Sequence, residues 1–215
     1  MKKINLLKSL KKTKKNINLR YSKKNKRVIQ IAKQFGKRYF DGNRMYGYGG
    51  YFYDGRWKSV VKDFINYYKL KKNDKVLDIG CAKGFLVKDF IDKGIDAYGL
   101  DISKYALRKA PKKIKKKIFL GNAKKLPFND KSFKLVISIN TLHNLDKNEL
   151  KTALKEIKRV SNRFSYIQLD AYKNLKEKKI FLKWVLTAKT HMFTKDWYKF
   201  LQKQNYKGDY YWTFV

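Results

Sequence analysis

A single cysteine, Cys81, occurs among the 215 residues. A disulfide within the chain is thereby excluded, and such cysteine usage suits a reducing compartment. Histidine is nearly as scarce, at two residues, and no metal site is expected. Acids are few, 17 against 54 lysines and arginines, which leaves a net charge of +37. No stretch reaches the ~18 consecutive apolar residues of a membrane helix. The opening Met1-Lys2-Lys3-Ile4-Asn5-Leu6-Leu7-Lys8 breaks into lysine before a signal-peptide core could form. These absences together lead to the expectation of a cytoplasmic protein without a transmembrane segment.

What is present can fill a core. Hydrophobic residues make up 43% of the chain and aromatics 16%, enough for one domain. The positive charge is carried by 46 lysines and only eight arginines. Lysine, asparagine, isoleucine and tyrosine are all plentiful, as AT-rich codons would produce. Readers of nucleic acid lean on the arginine fork, so the charge is weaker evidence for such a partner than its size suggests. It would still attract polyanions such as RNA nonspecifically at low salt. Residues 1–27 concentrate this charge, with twelve basic residues and no acid. They read as a solvated basic tail, with a short basic amphipathic helix as the alternative.

Beyond the tail, apolar spacing predicts a helix over 28–35, and the glycine- and tyrosine-dense segment 46–57 reads as a loop. Trp57, Val60, Val61, Phe64, Ile65 and Tyr68 form a full helical stripe. Strands are predicted at Val76–Leu77, 97–101, 118–120, 133–139, 164–169 and 210–215. Helices are predicted at 85–91, 103–110, from Asp146 with Glu149 completing a capping box, at 176–186, and at 194–204 with Thr194 as cap. Residues 112–117 read as a solvated basic connection. Strands alternating with helices predict an α/β fold, a doubly wound and mostly parallel sheet with helices on both faces.

The most informative stretch is Val76-Leu77-Asp78-Ile79-Gly80-Cys81-Ala82-Lys83-Gly84. It is a strand, a tight glycine-bounded turn and a helix start, where a small ligand can approach backbone amides. About twenty residues on, a second strand ends in Asp101, whose carboxylate can accept two hydrogen bonds from a ribose diol. A dinucleotide site would need G-x-G-x-x-G. Counting from Gly80, those later glycine positions hold Ala82 and the bulky Phe85.

The pattern Asp78-x-Gly80-x-Ala82-x-Gly84 instead resembles the first motif of class I S-adenosylmethionine-dependent methyltransferases. Gly99-Leu100-Asp101-Ile102-Ser103 resembles their ribose motif, and Gly121–Phe128 their adenine-side motif. Asp130–Ser138 resembles the strand that follows. This sequence departs by having Ala82 for the middle glycine, Asn122 where an acid is common, and Lys134 for a frequent aspartate. The resemblance implies S-adenosyl-L-methionine as cofactor. Gly80, Cys81, Ala82, Lys83 and Gly84 would hold its methionine portion, and Asp78 would orient that loop or the ammonium. Asp101 would take the ribose hydroxyls and Asn122 the adenine amino edge, between Ile102 and Ala123. Ile139 and Asn140 would line the base of the site. A methyltransferase domain of bacterial small-molecule type over 28–215 follows, with 28–57 as a cover segment.

Methyl transfer needs alignment and exclusion of water, and a hydroxyl acceptor benefits from a general base. His143 and Asp170 are the catalytic candidates by position, although Asp170 could instead bind a substrate hydroxyl or cap a turn. Arg56 is a candidate partner for an anionic acceptor, with a surface salt bridge as the favoured alternative. Ser138–His143 lacks the Asn/Asp-Pro-Pro-aromatic motif of nucleic-acid amino-group methyltransferases. The expected acceptor is therefore a small polar metabolite or sugar precursor, methylated on oxygen. RNA methylation, and a noncatalytic RNA-binding module on the same fold, are the alternatives.

Overall fold

The computed structural model describes residues 1–10 and 16–215. Three short helices, α1 (Ile17–Ser22), α2 (Lys26–Lys33) and α3 (Lys37–Asp41), precede the long α4 (Trp57–Tyr68). The chain then alternates: β1 (Lys75–Ile79), α5 (Phe85–Asp92), β2 (Asp96–Asp101), α6 (Lys104–Arg108), β3 (Ile118–Leu120) and β4 (Phe133–Ile139). It continues with α7 (Lys147–Val160), β5 (Ser161–Tyr172), α8 (Leu175–Trp184), β6 (Met192–Phe193), α9 (Thr194–Lys203) and β7 (Asp209–Thr213).

The seven strands form one sheet in the order β3-β2-β1-β4-β5, and every strand pairing is parallel. β7 and β6 share the outer edge of β5 in tandem, along Tyr166–Asp170 and Ala171–Tyr172. Successive side chains on a strand point to opposite faces. Accordingly Leu77, Ile79, Val136, Ile167 and Leu169 pack with residues of α7 and α9. Val76, Leu135, Ile137 and Tyr166 pack with α4 and α5 on the other face. This is the doubly wound fold expected from the alternation. The order reverses between β1 and β4, which places the ligand crevice at the C-terminal ends of these strands.

Several local expectations need correction. Residues 1–10 are not a solvated tail. Leu6 and Leu7 are buried against Val60, Val61 and Phe64. Ile4 N–H donates to the Tyr210 carbonyl and Tyr210 N–H to that of Lys2, so the chain start extends the sheet past β7. Arg20, on α1, is also buried. Part of the former tail, residues 11–15, lies outside the described residues. The connection 112–117 is a 3₁₀ helix with Ile114 fully buried, so lysine density there hides a core contact. Thr194 begins α9 instead of capping it, because Phe193 occupies the cap position without a side-chain bond. α8 is capped by Asn174, which accepts from Glu177 N–H. The Asp146–Glu149 capping box forms as expected. No helix among the described residues is long and apolar enough to cross a membrane.

Candidate functional site

The crevice begins where β1 ends. Gly80 takes φ +83°, and a Cβ added there would lie 2.0 Å from Thr141 Oγ1. Only glycine meets both conditions. Ala82 adopts φ +52°, a left-handed conformation costing about 1–2 kcal/mol. What holds Ala82 there is Asp101, whose Oδ2 accepts its N–H at 2.7 Å while Oδ1 accepts Ser103 N–H at 2.8 Å. Gly84, at φ +71°, opens α5 against Ile114.

The loop is not the bare row of amides that the sequence suggests. Gly80 and Cys81 N–H both donate to the Leu100 carbonyl, Ala82 N–H to Asp101, and Gly84 N–H to the Cys81 carbonyl. With those donors committed, the loop is poorly built for a pyrophosphate. Its charge points the same way. Asp78 is buried and takes no hydrogen bond among the described residues. Burial, and then the neighbouring Asp101, push its carboxyl up to about 8. Burial also raises Asp101, against the pull of its backbone donors. Two buried carboxyls beside a loop with spent amides suit a cation-bearing ligand, and a sulfonium with an ammonium fits that demand.

The other predicted residues fall around this centre. Cys81 packs its sulfur against Gly99, where a Cβ would come within 2.7 Å of it, so only its backbone faces the crevice side of the loop. Burial, with Asp78 and Asp101 adding, holds its thiol well above the usual range. Ile102 stands 58% exposed at the end of β2, available to an adenine face, while Ala123 is buried. Asn122 Oδ1 already accepts Lys124 N–H at 3.0 Å, which leaves its amide group the freer partner. Asn140 ties strand ends together: its N–H donates to Gln168 O and its Oδ1 accepts from Thr213 Oγ1 at 2.7 Å. Ile139, half-buried, closes β4 beside it.

His143 and Asp170 do meet. His143 Nδ1 accepts Asp170 N–H at 3.2 Å, and Nε2 stands 3.5 Å from Asp170 Oδ2. Both ring nitrogens therefore face one residue. His143 is buried, while the Asp170 side chain stays partly exposed. Arg56 is spent on Asp54, 2.6 Å away at the surface.

The residues lying over the loop come from within 28–57, and sequence reasoning missed their individual contacts. Phe40 of α3 packs on Ala82 and Ala106. Buried Lys83 reaches Asp41 at 2.6 Å and donates to Tyr51 O. Ser103 Oγ donates to Phe35 O. Tyr48 and Tyr51 pack with tilted rings at 4.6 Å, and Tyr51 stacks over Phe85 at 5.0 Å. The density of tyrosine and glycine over 46–57 signalled part of this arrangement. Nothing in the sequence linked Lys83 to Asp41.

Residues 77–169 match the family described as methyltransferase domain. The chain is 37% identical to an uncharacterized protein of Methanocaldococcus jannaschii, over 50% of this chain and 41% of that protein. It is 30% identical to YrhH of Bacillus subtilis, a candidate methyltransferase, over 56% of this chain and 71% of that protein. The chain thus spans under half the length of the archaeal relative. An S-adenosylmethionine-dependent methyltransferase from Archaeoglobus fulgidus shares the fold at TM-score 0.55 and 23% identity, covering 68% of this chain and 66% of that one. With the YrhH match spanning over two thirds of that relative, and the crevice at the switch point of the sheet, the chain belongs to the methyltransferase-domain family.

Proposed function

We propose that the protein transfers a methyl group from S-adenosyl-L-methionine to oxygen of a small polar acceptor. The observation that carries this reading is Asp78, a buried carboxyl without a hydrogen-bond partner among the described residues, beside a loop whose amides are committed. When bound, the cofactor supplies an already activated methyl group. Asp78 would hold its ammonium, Asp101 would use its remaining lone pairs on the ribose, and Ile102 with Ala123 would flank the adenine. Asn122 would meet the adenine edge through its amide.

The protein's remaining tasks are alignment, dryness and a proton acceptor. The tyrosines of 39–53 would close over the bound acceptor and keep water from it. Asp170 is the better-placed base, since part of its carboxylate is open while His143 is buried, with Nδ1 taken by the Asp170 N–H and Nε2 3.5 Å from Oδ2. His143 is then a positioning residue that holds Asp170. A small acceptor fits a covered crevice better than an RNA strand does.

Two measurements test this. Isothermal titration should give binding of S-adenosylmethionine and its demethylated product, and none of NAD. NAD binding more tightly would overturn the cofactor assignment. Methyl-labelled cofactor incubated with fractionated lysate should then label the small-molecule fraction, whereas label chiefly in RNA would replace the acceptor proposed here. Asp170→Asn should lower the rate by about 10²–10⁴, the contribution of a general base. His143→Gln should lower it less and leave the pH profile of the rate in place.

A further inference from the structure

Two cations are buried among the described residues, Lys83 and Arg20. Lys83 has a carboxylate partner in Asp41. Arg20 has none among the described residues. One of its terminal nitrogens donates to the carbonyls of Arg44, at 2.7 Å, and Gly47, at 2.5 Å, and its Nε is buried without a partner. Its guanidinium lies 3.7 Å from the centre of the Trp184 ring, and a second guanidinium, that of Arg44, lies 5.6 Å from the same centre. Arg44 is exposed and likewise forms no ion pair among the described residues. Two like charges over one indole repel each other. Burial, and then Arg44, lower Arg20 to about 10.

This pair is joined to the methyl-transfer site. The segment after α8 leads from Trp184 past Thr187, whose hydroxyl meets that of Tyr39, to Lys189 and Thr190, whose N–H groups both donate to the His143 carbonyl at 3.0 Å. The fields of Arg20 and Asp170 both reach the Tyr39 hydroxyl, with opposite sign. Tyr39 is thus within electrostatic reach of both Arg20 and the candidate base.

We propose that Arg20 and Arg44, backed by Trp184, bind an oxyanion group of the methyl acceptor, a carboxylate or a phosphate, while Tyr39 and Asp170 face its reacting end. An oxyanion between the two guanidiniums would satisfy the unpartnered Nε and relieve their repulsion, and arginine forks match such groups bidentately. The proposal rests on the methyl-transfer reading of the neighbouring crevice.

The test uses the full chain at about 0.15 M salt, where the exposed lysines are screened beyond roughly 8 Å. Inorganic phosphate and benzoate are titrated separately while the arginine Nε–H and tryptophan indole resonances are followed. One Nε–H, assigned through Arg20→Lys, should shift saturably with at least one probe. Arg44→Gln should weaken that binding at least fivefold, and Lys113→Gln, at an exposed position, should leave it unchanged. The probe that binds tighter identifies the group. Absence of a saturable shift with both probes overturns the proposal, as does an unchanged affinity in Arg44→Gln. Should Arg20→Lys fail to fold, Trp184→Phe makes the assignment through the lost indole signal. S-adenosylmethionine is titrated into the same samples. Cofactor binding without an anion shift defeats this proposal alone, while an anion shift without cofactor binding defeats the methyl-transfer reading and leaves the anion site standing.

Discussion

Residues 76–143 and residues 1–57 with α8 are built on different logic, although both flank one crevice. In the first region, backbone geometry sets each charge. Asp101 is placed by the end of β2 and held by two amides, and Asp78 by the end of β1. In the second, long side chains reach across gaps: Arg20 to Arg44 O and Lys24 to Leu182 O, while Asp41 receives Lys83 from the first region. The first kind of site is fixed by strand register and cannot drift. The second depends on three short helices and aromatic stacking, which gives it freedom to vary with the acceptor. A common cofactor and a particular acceptor would call for that division.

The strongest break of this comparison lies at the chain start. If residues 1–10 were an appendage, trimming Leu6 and Leu7 to Ala would cost little. Both are buried against α4, so the double variant should lose about 3–6 kcal/mol, at roughly 1.5–3 kcal/mol for each buried leucine. The thermal midpoint then falls by more than 6 °C, at about 2–4 °C per kcal/mol for a chain of this size. A fall below 2 °C would return the segment to the status of a tail.

In the other region the corresponding break is Gly80→Ala. The left-handed backbone costs about 1–2 kcal/mol, and the added methyl meets Thr141 Oγ1 at 2.0 Å, adding about 1–3 kcal/mol. Calorimetry should register the sum. The double variant with Thr141→Gly, which also removes the Thr141 Cβ 2.6 Å from the added methyl, should recover the steric part only. Full recovery would show that the backbone conformation, unlike the neighbour, places no demand on residue 80.

These two residues also show what was legible. Gly80 announces itself, because a turn between a strand and a helix at φ > 0 demands glycine and leaves a mark at one position. Its neighbours Asp78, Gly84 and Asp101 fall at spacings set by strand length and helix pitch. Leu6 and Leu7 leave no such mark. They sit among lysines without periodicity, and what buries them is α4 and β7, elements more than 50 and 200 residues away in sequence. Arg20 is hidden for the same reason, its contacts lying at Arg44, Gly47 and Trp184. The committed amides of the loop were missed because a sequence shows that donors exist and not where they point. Ile114 was missed because five lysines in six residues masked one core contact.

Asp78 sharpens the comparison through pH. Its folded carboxyl sits at about 8, above the ordinary 3.8. Between those values the unfolded chain is ionised there and the native chain is protonated, so the native state binds more protons. Stability from this group is fully present below pH 4 and is lost as pH rises towards 8. Asp78→Asn mimics the protonated form, so its thermal midpoint should exceed the native protein's at pH 8 and match it near pH 4. The same variant should lose at least tenfold in S-adenosylmethionine affinity, the usual exchange of stability for function at a site. Equal midpoints across that range would place the cost of burying Asp78 elsewhere.

The smallest expected effect decides whether the two regions melt as one. Asp146 caps α7 in the sheet region, and Asn25 caps α2 in the cover through a bond from Val28 N–H at 2.9 Å. Each cap contributes about 1 kcal/mol against alanine. The regions are tied by Lys83–Asp41, by Ser103 to Phe35 O, and by Phe40 on Ala82. With those ties intact, Asp146→Ala and Asn25→Ala should lower a single cooperative midpoint alike, by about 2–4 °C. Hydrogen exchange separates the alternative. If Asn25→Ala left the midpoint unchanged and only accelerated exchange over residues 26–41, the cover would open on its own, and an acceptor could enter beneath it without disturbing the cofactor site.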